Sequence, residues 1–213
     1  MMGLVLKDLY VMKSMGRSYL LMFGVFAVMT LMGMYDGISF VSFLMVMMLI
    51  MMPINTFAYD EQAKWDRFAA ATPAGRKGVV AGKYLFSALL LVVGLVLCAG
   101  LQAVLYALGL HGDESLMDML MAVVISVSVG TILNAVLLPL LFKFGTQKSR
   151  VFLMVCVGLV TASAVILLGM ASDSVPNIGS LLGLLGGLIP ILAVGLLVIS
   201  YFISQGIYGK KEL

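Results

Sequence analysis

Lysine and arginine occur in this chain only in every second gap between long uncharged apolar stretches. All thirteen obey the rule: Lys7, Lys13, Arg17, Lys64, Arg67, Arg76, Lys77, Lys83, Lys143, Lys148, Arg150, Lys210 and Lys211. The uncharged stretches cover residues 19–34, 38–59, 85–110, 119–142, 151–171 and 179–205. Most reach the roughly 20 helical residues that a bilayer core requires, and the first, which is shorter, borrows from its flanks. The gaps without a cation, 35–37, 111–118 and 172–178, hold Asp36, Asp113, Glu114, Asp118 and Asp173. Basic segments stay on the cytoplasmic side during insertion. The pattern therefore predicts six transmembrane helices with both termini inside.

Composition closes off other classes. Hydrophobic residues make up 62% of the 213 positions and charged residues 11%, against about 25% charged in soluble domains. The net charge of +3 is spread along membrane ends rather than gathered in one patch, so anionic headgroups explain it and nucleic acid does not. No small-x-small cleavage site follows the first apolar stretch, so that stretch is expected to remain in the mature protein. Cys98 and Cys156 both fall inside expected spans, where each reads as a small hydrophobe rather than half of a disulfide.

Residues 1–18 form a segment of their own. On a helix, Val5, Leu9, Met12, Met15 and Tyr19 line one side, while Lys7, Lys13, Ser14, Arg17 and Ser18 gather opposite, with Asp8 the exception. Two readings fit: an amphipathic helix lying on the inner membrane surface, or a basic flank that sets orientation. The rest, 19–213, is one transmembrane domain.

The longest hydrophilic segment, 60–83, is organised. Asp60 and Glu61 suit the positive end of a new helix and stand at helical spacing from Lys64. Trp65 and Phe68 share a side of that helix and suit anchoring. Thr72, Pro73, Ala74 and Gly75 then break it, with Gly75 free to take positive φ. Arg76 and Lys77 come next, and Lys83 and Tyr84 lead into the next span. A short docking helix parallel to the membrane and a solvated basic loop both satisfy these features.

The same residues carry a resemblance. Phe57 to Glu61, Trp65-Asp66-Arg67-Phe68, Thr72 to Lys77, Val80 and Lys83-Tyr84, with Leu6 to Leu9 upstream, resemble the N-terminus and first cytoplasmic loop of ABC-2 type permeases, above all the small six-span bacterial ones of peptide and bacteriocin export or immunity. The layout agrees over the whole chain, to the basic tail at Lys210 and Lys211; Ala74 departs from the polar residue expected in the turn. The resemblance implies an all-α integral membrane protein with an amphipathic N-terminal surface helix and a cytoplasmic coupling helix at 60–70. In it Asp60, Glu61, Lys64, Trp65, Arg67 and Phe68 would meet a separate ATPase. It further implies a bacterial plasma-membrane exporter acting as a dimer with an identical or homologous permease. Its cargo would be an amphipathic peptide or lipid-like substrate, and ATP and Mg would be bound by the partner alone.

The spans agree with an external energy source. None of the six stretches contains Asp, Glu, Lys, Arg or His, whereas ion-coupled carriers place ionisable groups near the midplane. Gly78 to Tyr84 imitates a phosphate loop, but its glycine spacing is one residue short and Tyr84 replaces the required Ser or Thr. His111, the single histidine, neighbours Asp113 and Glu114 in an outer gap and lacks the further ligands of a metal site. No nucleophile and base pair suggests catalysis.

Three features bear on packing and motion. Gly179, Gly183 and Gly187 recur every four residues and invite close helix approach, within the chain or across a dimer. Pro53 and Pro139 each remove a helical hydrogen bond near an inner end and mark expected hinges. Thirteen of the 18 methionines precede Pro53, a bias that suits lipid contact, helix packing or an adaptable pathway for cargo. A different class of protein fits the same map: an immunity or binding protein that sequesters a peptide or lipid without pumping it. A neighbouring ATPase gene distinguishes the first reading from this one.

Overall fold

The computed structural model describes residues 2–32, 38–65, 68–69, 75–109, 115–172 and 178–210. Five long helices lie among them: α1 (Met2–Leu31), α2 (Ile38–Gln62), α3 (Gly75–Ala107), α4 (Leu116–Ser172) and α5 (Ile178–Gly209). Four of these, α2 to α5, contain segments long and apolar enough to cross a membrane. Among the described residues the regular structure is all helical, and the protein is multi-pass.

The N-terminal segment and the first apolar stretch are one helix, because nothing between Met2 and Leu31 breaks it. The side expected to lie in the acyl boundary covers protein instead. Leu9, Met12 and Tyr19 pack on Leu49, Met52, Phe86 and Leu90 of α2 and α3. Lys13, Arg17 and Ser18 remain exposed on the opposite side.

The gap expected at 143–150 shrinks to one residue. Helical geometry continues from α4's start to Gly145, which takes φ 77 and ψ −178, and resumes at once. The two halves run in opposite directions along α2. Gly130 faces Val46 and Ile50 and Phe142 meets Phe57 at 4.9 Å, so the first half descends beside α2. After Gly145, Arg150 bonds to Asn55 while Leu153 and Met154 lie with Met51, so the second half retraces it. Only a residue without a Cβ takes this backbone conformation cheaply.

Side chains without bulk permit the tightest crossings. A Cβ at Gly94 would stand 2.6 Å from Leu49 Cδ1, and one at Gly130 would stand 2.6 Å from Val46 Cγ1. These two glycines bring α2, α3 and α4 together. Gly179 and Gly183 lie on α5, and no described atom comes within 4 Å of a Cβ at Gly187.

Register between the helices is fixed by a few polar contacts. Gln102 Nε2 donates to Ser42 Oγ at 2.7 Å, so α3 runs against α2. The Tyr84 hydroxyl sits 2.6 Å from Ser200 Oγ and 2.8 Å from Ser204 Oγ, and Ser200 Oγ donates to the Ala135 carbonyl at 2.5 Å. Arg76 Nη1 donates to the Gly209 carbonyl at 2.6 Å, placing a cation at the negative end of α5. One end of the bundle thus gathers Lys7, Asp60, Arg76, Lys83, the Gly145 break and Lys210. These are the basic segments that the sequence alternation groups together.

Candidate functional site

At that basic end four charges from three helices interlock. Lys83 Nζ, 5% exposed at the side chain, reaches Asp8 Oδ1 at 2.9 Å and Asp60 Oδ2 at 2.7 Å. It also donates to Thr56 Oγ1 at 3.2 Å. Below it lies the Phe57 ring, 4.8 Å from the ammonium. Lys7 donates to Asp60 Oδ1, lies 3.3 Å from Asp8 Oδ1 and stands 4.8 Å above the Trp65 ring. Two cations and two anions cancel, and the buried ammonium finds three oxygen acceptors. Such a group is stable while complete, whereas removing one member strands a buried charge at about 3–5 kcal/mol.

The local sequence explains why the cluster forms there. Nothing interrupts α2 at Tyr59, so Asp60 and Glu61 end that helix instead of opening a new one. Carboxylates at a helix C-terminus oppose its dipole. Here each is answered from elsewhere: Asp60 by Lys7 and Lys83, and Glu61 by the helix that starts after Gly145. The Thr146 backbone N–H donates to Glu61 Oε1 at 2.8 Å and its hydroxyl to Oε2 at 2.6 Å. Glu61 caps that helix from a distant part of the chain, doing what an N-cap side chain does locally. Gly145 makes room for it, since a Cβ there would lie 2.7 Å from Glu61 Oε1.

The expected pairing of Asp60 and Glu61 with Lys64 is not formed. Lys64 lies just past the end of α2, exposed, in a left-handed conformation with φ 49. A lysine leaving a helix in that way points off the ladder on which i to i+4 pairing depends. The expected continuous helix from residue 60 is interrupted by a turn at 63–64, after which Trp65, Phe68 and Ala69 are helical. Trp65 and Phe68 differ in exposure: Trp65 packs against the main core under Lys7, while Phe68 is 65% exposed. Arg67 lies outside the described residues, as do Ala70 to Ala74, His111, Asp113 and Glu114. Gly75 takes the expected positive φ, at 59, and α3 starts there.

The prolines expected as hinges lie within helices. α2 passes through Pro53, where the Thr56 hydroxyl donates to the proline carbonyl at 2.9 Å, and α4 passes through Pro139. Within α4 the backbone leaves helical φ/ψ at Gly145. Sequence reasoning gave no role to Thr56, Gly145 and Thr146, and it read Lys7, Asp8 and Lys83 as flanking residues that share in the family resemblance, not as partners of one another. One signal was available: Asp8 is the sole acid on the first helix and breaks its polarity pattern, as a residue with a distant cationic partner does.

The result is a rigid corner. Buried ion pairs join α1, α2 and α3, and Glu61 links the same corner to the second half of α4. The exposed surface over it carries Phe68, Lys64, Lys77, Lys143, Phe144 and Lys148. Residues 3–209 match the family described as ABC-2 family transporter protein. No curated protein and no solved structure matches the chain.

Proposed function

We propose, since the chain belongs to the ABC-2 family of transporter proteins, that this permease subunit is half of an exporter driven by a separate ATPase. Six spans, with both termini in the cytoplasm of a bacterial cell, carry an amphipathic peptide or lipid-like substrate outward. The second permease is identical or homologous, and ATP with Mg is bound by the ATPase. The observation that carries this reading is the ionic corner. A partner that pushes on the segment after Gln62 pushes on α1, α2 and α3 together, because Asp60, Asp8, Lys7 and Lys83 tie them.

In this reading Phe68, Lys64 and Arg67 touch the ATPase. Trp65 holds their segment to the bundle, and Asp60 and Glu61 transmit its displacement. Glu61 passes the movement to the helix beginning at Thr146. Pro53, just above the corner on α2, and the Gly145 break supply the points where helices change angle. The small residues at 179, 183 and 187 suit a contact with the second permease.

Two measurements test the proposal. In vesicles holding this protein and its partner ATPase, amphipathic peptides or lipids are expected to stimulate ATP hydrolysis with ion gradients collapsed; efflux that needs a gradient and no ATP would replace the exporter with a carrier. In intact cells of a Cys98→Ala, Cys156→Ala background, a cysteine at exposed Ser115 is expected to react with an impermeant reagent and one at exposed Lys148 is not. Labelling at Lys148 reverses the topology.

A further inference from the structure

A cavity of about 240 Å³ opens between α2 and the helix after Gly145, lined by Met51, Ile54, Asn55, Arg150, Leu153 and Met154. Its polarity is graded. Asn55 and Arg150 stand at the end nearer the ionic corner, and because the two helices run antiparallel, Met51 and Met154 each lie one turn further along, away from it. A phospholipid in the inner leaflet has the same gradient, with phosphate toward the cytoplasm and chains beyond.

Arg150 is prepared for an anion. Its Nη2 donates to Asn55 Oδ1 at 3.2 Å, and Asn55 Nδ2 donates in turn to the Tyr19 hydroxyl at 2.9 Å. The amide is thus held with its oxygen toward the guanidinium. Among the described residues no carboxylate lies within 4 Å of Arg150. Glu61 lines the adjoining cavity with Arg150, but both its oxygens are taken by Thr146. A guanidinium has five N–H donors in a planar fork suited to phosphate, and one contact to Asn55 leaves that fork available. Methionine thioethers on both walls adapt to an acyl chain.

We propose that this cavity binds an anionic phospholipid, its phosphate on Arg150 and an acyl chain along Met51, Leu153 and Met154. The inward orientation comes from the function proposed above, but binding itself needs no ATPase. The site would let leaflet composition stiffen the joint between α2 and the second half of α4.

The test uses the purified chain in neutral detergent at physiological salt. Thermal unfolding is monitored during titration with phosphatidylglycerol, with phosphatidylcholine of the same chains, and with inorganic phosphate. Phosphatidylglycerol is expected to raise the midpoint saturably, phosphatidylcholine to do so at least ten-fold more weakly, and phosphate to have no comparable effect. Relative to each variant's own lipid-free midpoint, Arg150→Gln is expected to abolish the preference for the anionic lipid and Arg150→Lys to keep part of it. Met154→Trp, which fills the apolar end, is expected to weaken both lipids, and Lys210→Gln, an exposed cation elsewhere, to change neither. An equal response of wild type and Arg150→Gln to phosphatidylglycerol overturns the site. An equal response to inorganic phosphate overturns the lipid as occupant. Loss of ATPase stimulation in the vesicle assay, with these shifts intact, would count against the exporter and not against this cavity.

Discussion

The two junctions at the basic end of the bundle are held in different ways. Among α1, α2 and α3, four buried or half-buried charges fix one another, and each ion has two opposite partners. Between the halves of α4, one glycine turns the chain and one carboxylate caps the helix beyond it. The first junction is over-determined and moves as a block; the second depends on Gly145 and Glu61. A device that converts a push into a change of helix angle needs both kinds, a rigid lever and a joint.

Breaking the lever should give the largest effect. Lys83→Met leaves Asp8 and Asp60 with Lys7 as the one cation between them, so a carboxylate charge goes unbalanced in a site that water barely reaches, and a loss of about 3–5 kcal/mol is expected for unfolding in detergent. Adding Asp8→Asn to the same chain should recover part of that loss, because the stranded charge is then removed. A single-mutant loss below about 1 kcal/mol would mean that the corner is not held by its charges.

The joint should be weaker but more specific. Gly145→Ala must adopt φ 77, and its Cβ would press on Glu61 Oε1 at 2.7 Å. A loss of about 1–3 kcal/mol is expected from the strained conformation, and the second half of α4 should lose amide protection before the rest. Glu61→Ala leaves the turn free of strain and removes only the cap, with an expected loss of about 1 kcal/mol. If both variants exchanged no faster at residues 146–155 than at 130–140, the joint would be as rigid as the lever and the comparison would fail.

These contrasts also show what the sequence could reveal. The succession of apolar stretches was legible because insertion reads lysine and arginine in the gaps, a local property of the chain. The grouping of basic segments at one end results from the same alternation. Gly75's positive φ was legible from a turn motif. The corner was not, because Asp8, Asp60 and Lys83 are 23 to 75 positions apart and only the antiparallel descent of α1, α2 and α3 brings them together. The Gly145 break was hidden for another reason: Phe144 to Arg150 has the composition of a loop, yet a capping carboxylate from another helix allows it to be helical up to a single residue. Long-range satisfaction of a helix end leaves no mark on the end itself.

The smallest effect separates local from distant pairing directly. Were Lys64 the partner of Asp60 or Glu61, as their spacing suggests, replacing it would weaken the corner. In the structure it is exposed, makes no ion pair among those formed by the described residues, and occupies φ 49 just past the end of α2, a conformation in which glycine is the least strained residue. Lys64→Gly is therefore expected to be neutral or to stabilise by up to about 1 kcal/mol, while Lys7→Ala, which removes a cation shared by Asp8 and Asp60, destabilises. Both are read by the same unfolding measurement. A loss for Lys64→Gly as large as that for Lys7→Ala would move the partner of Asp60 back to its own segment and leave α1 without a place in the lever.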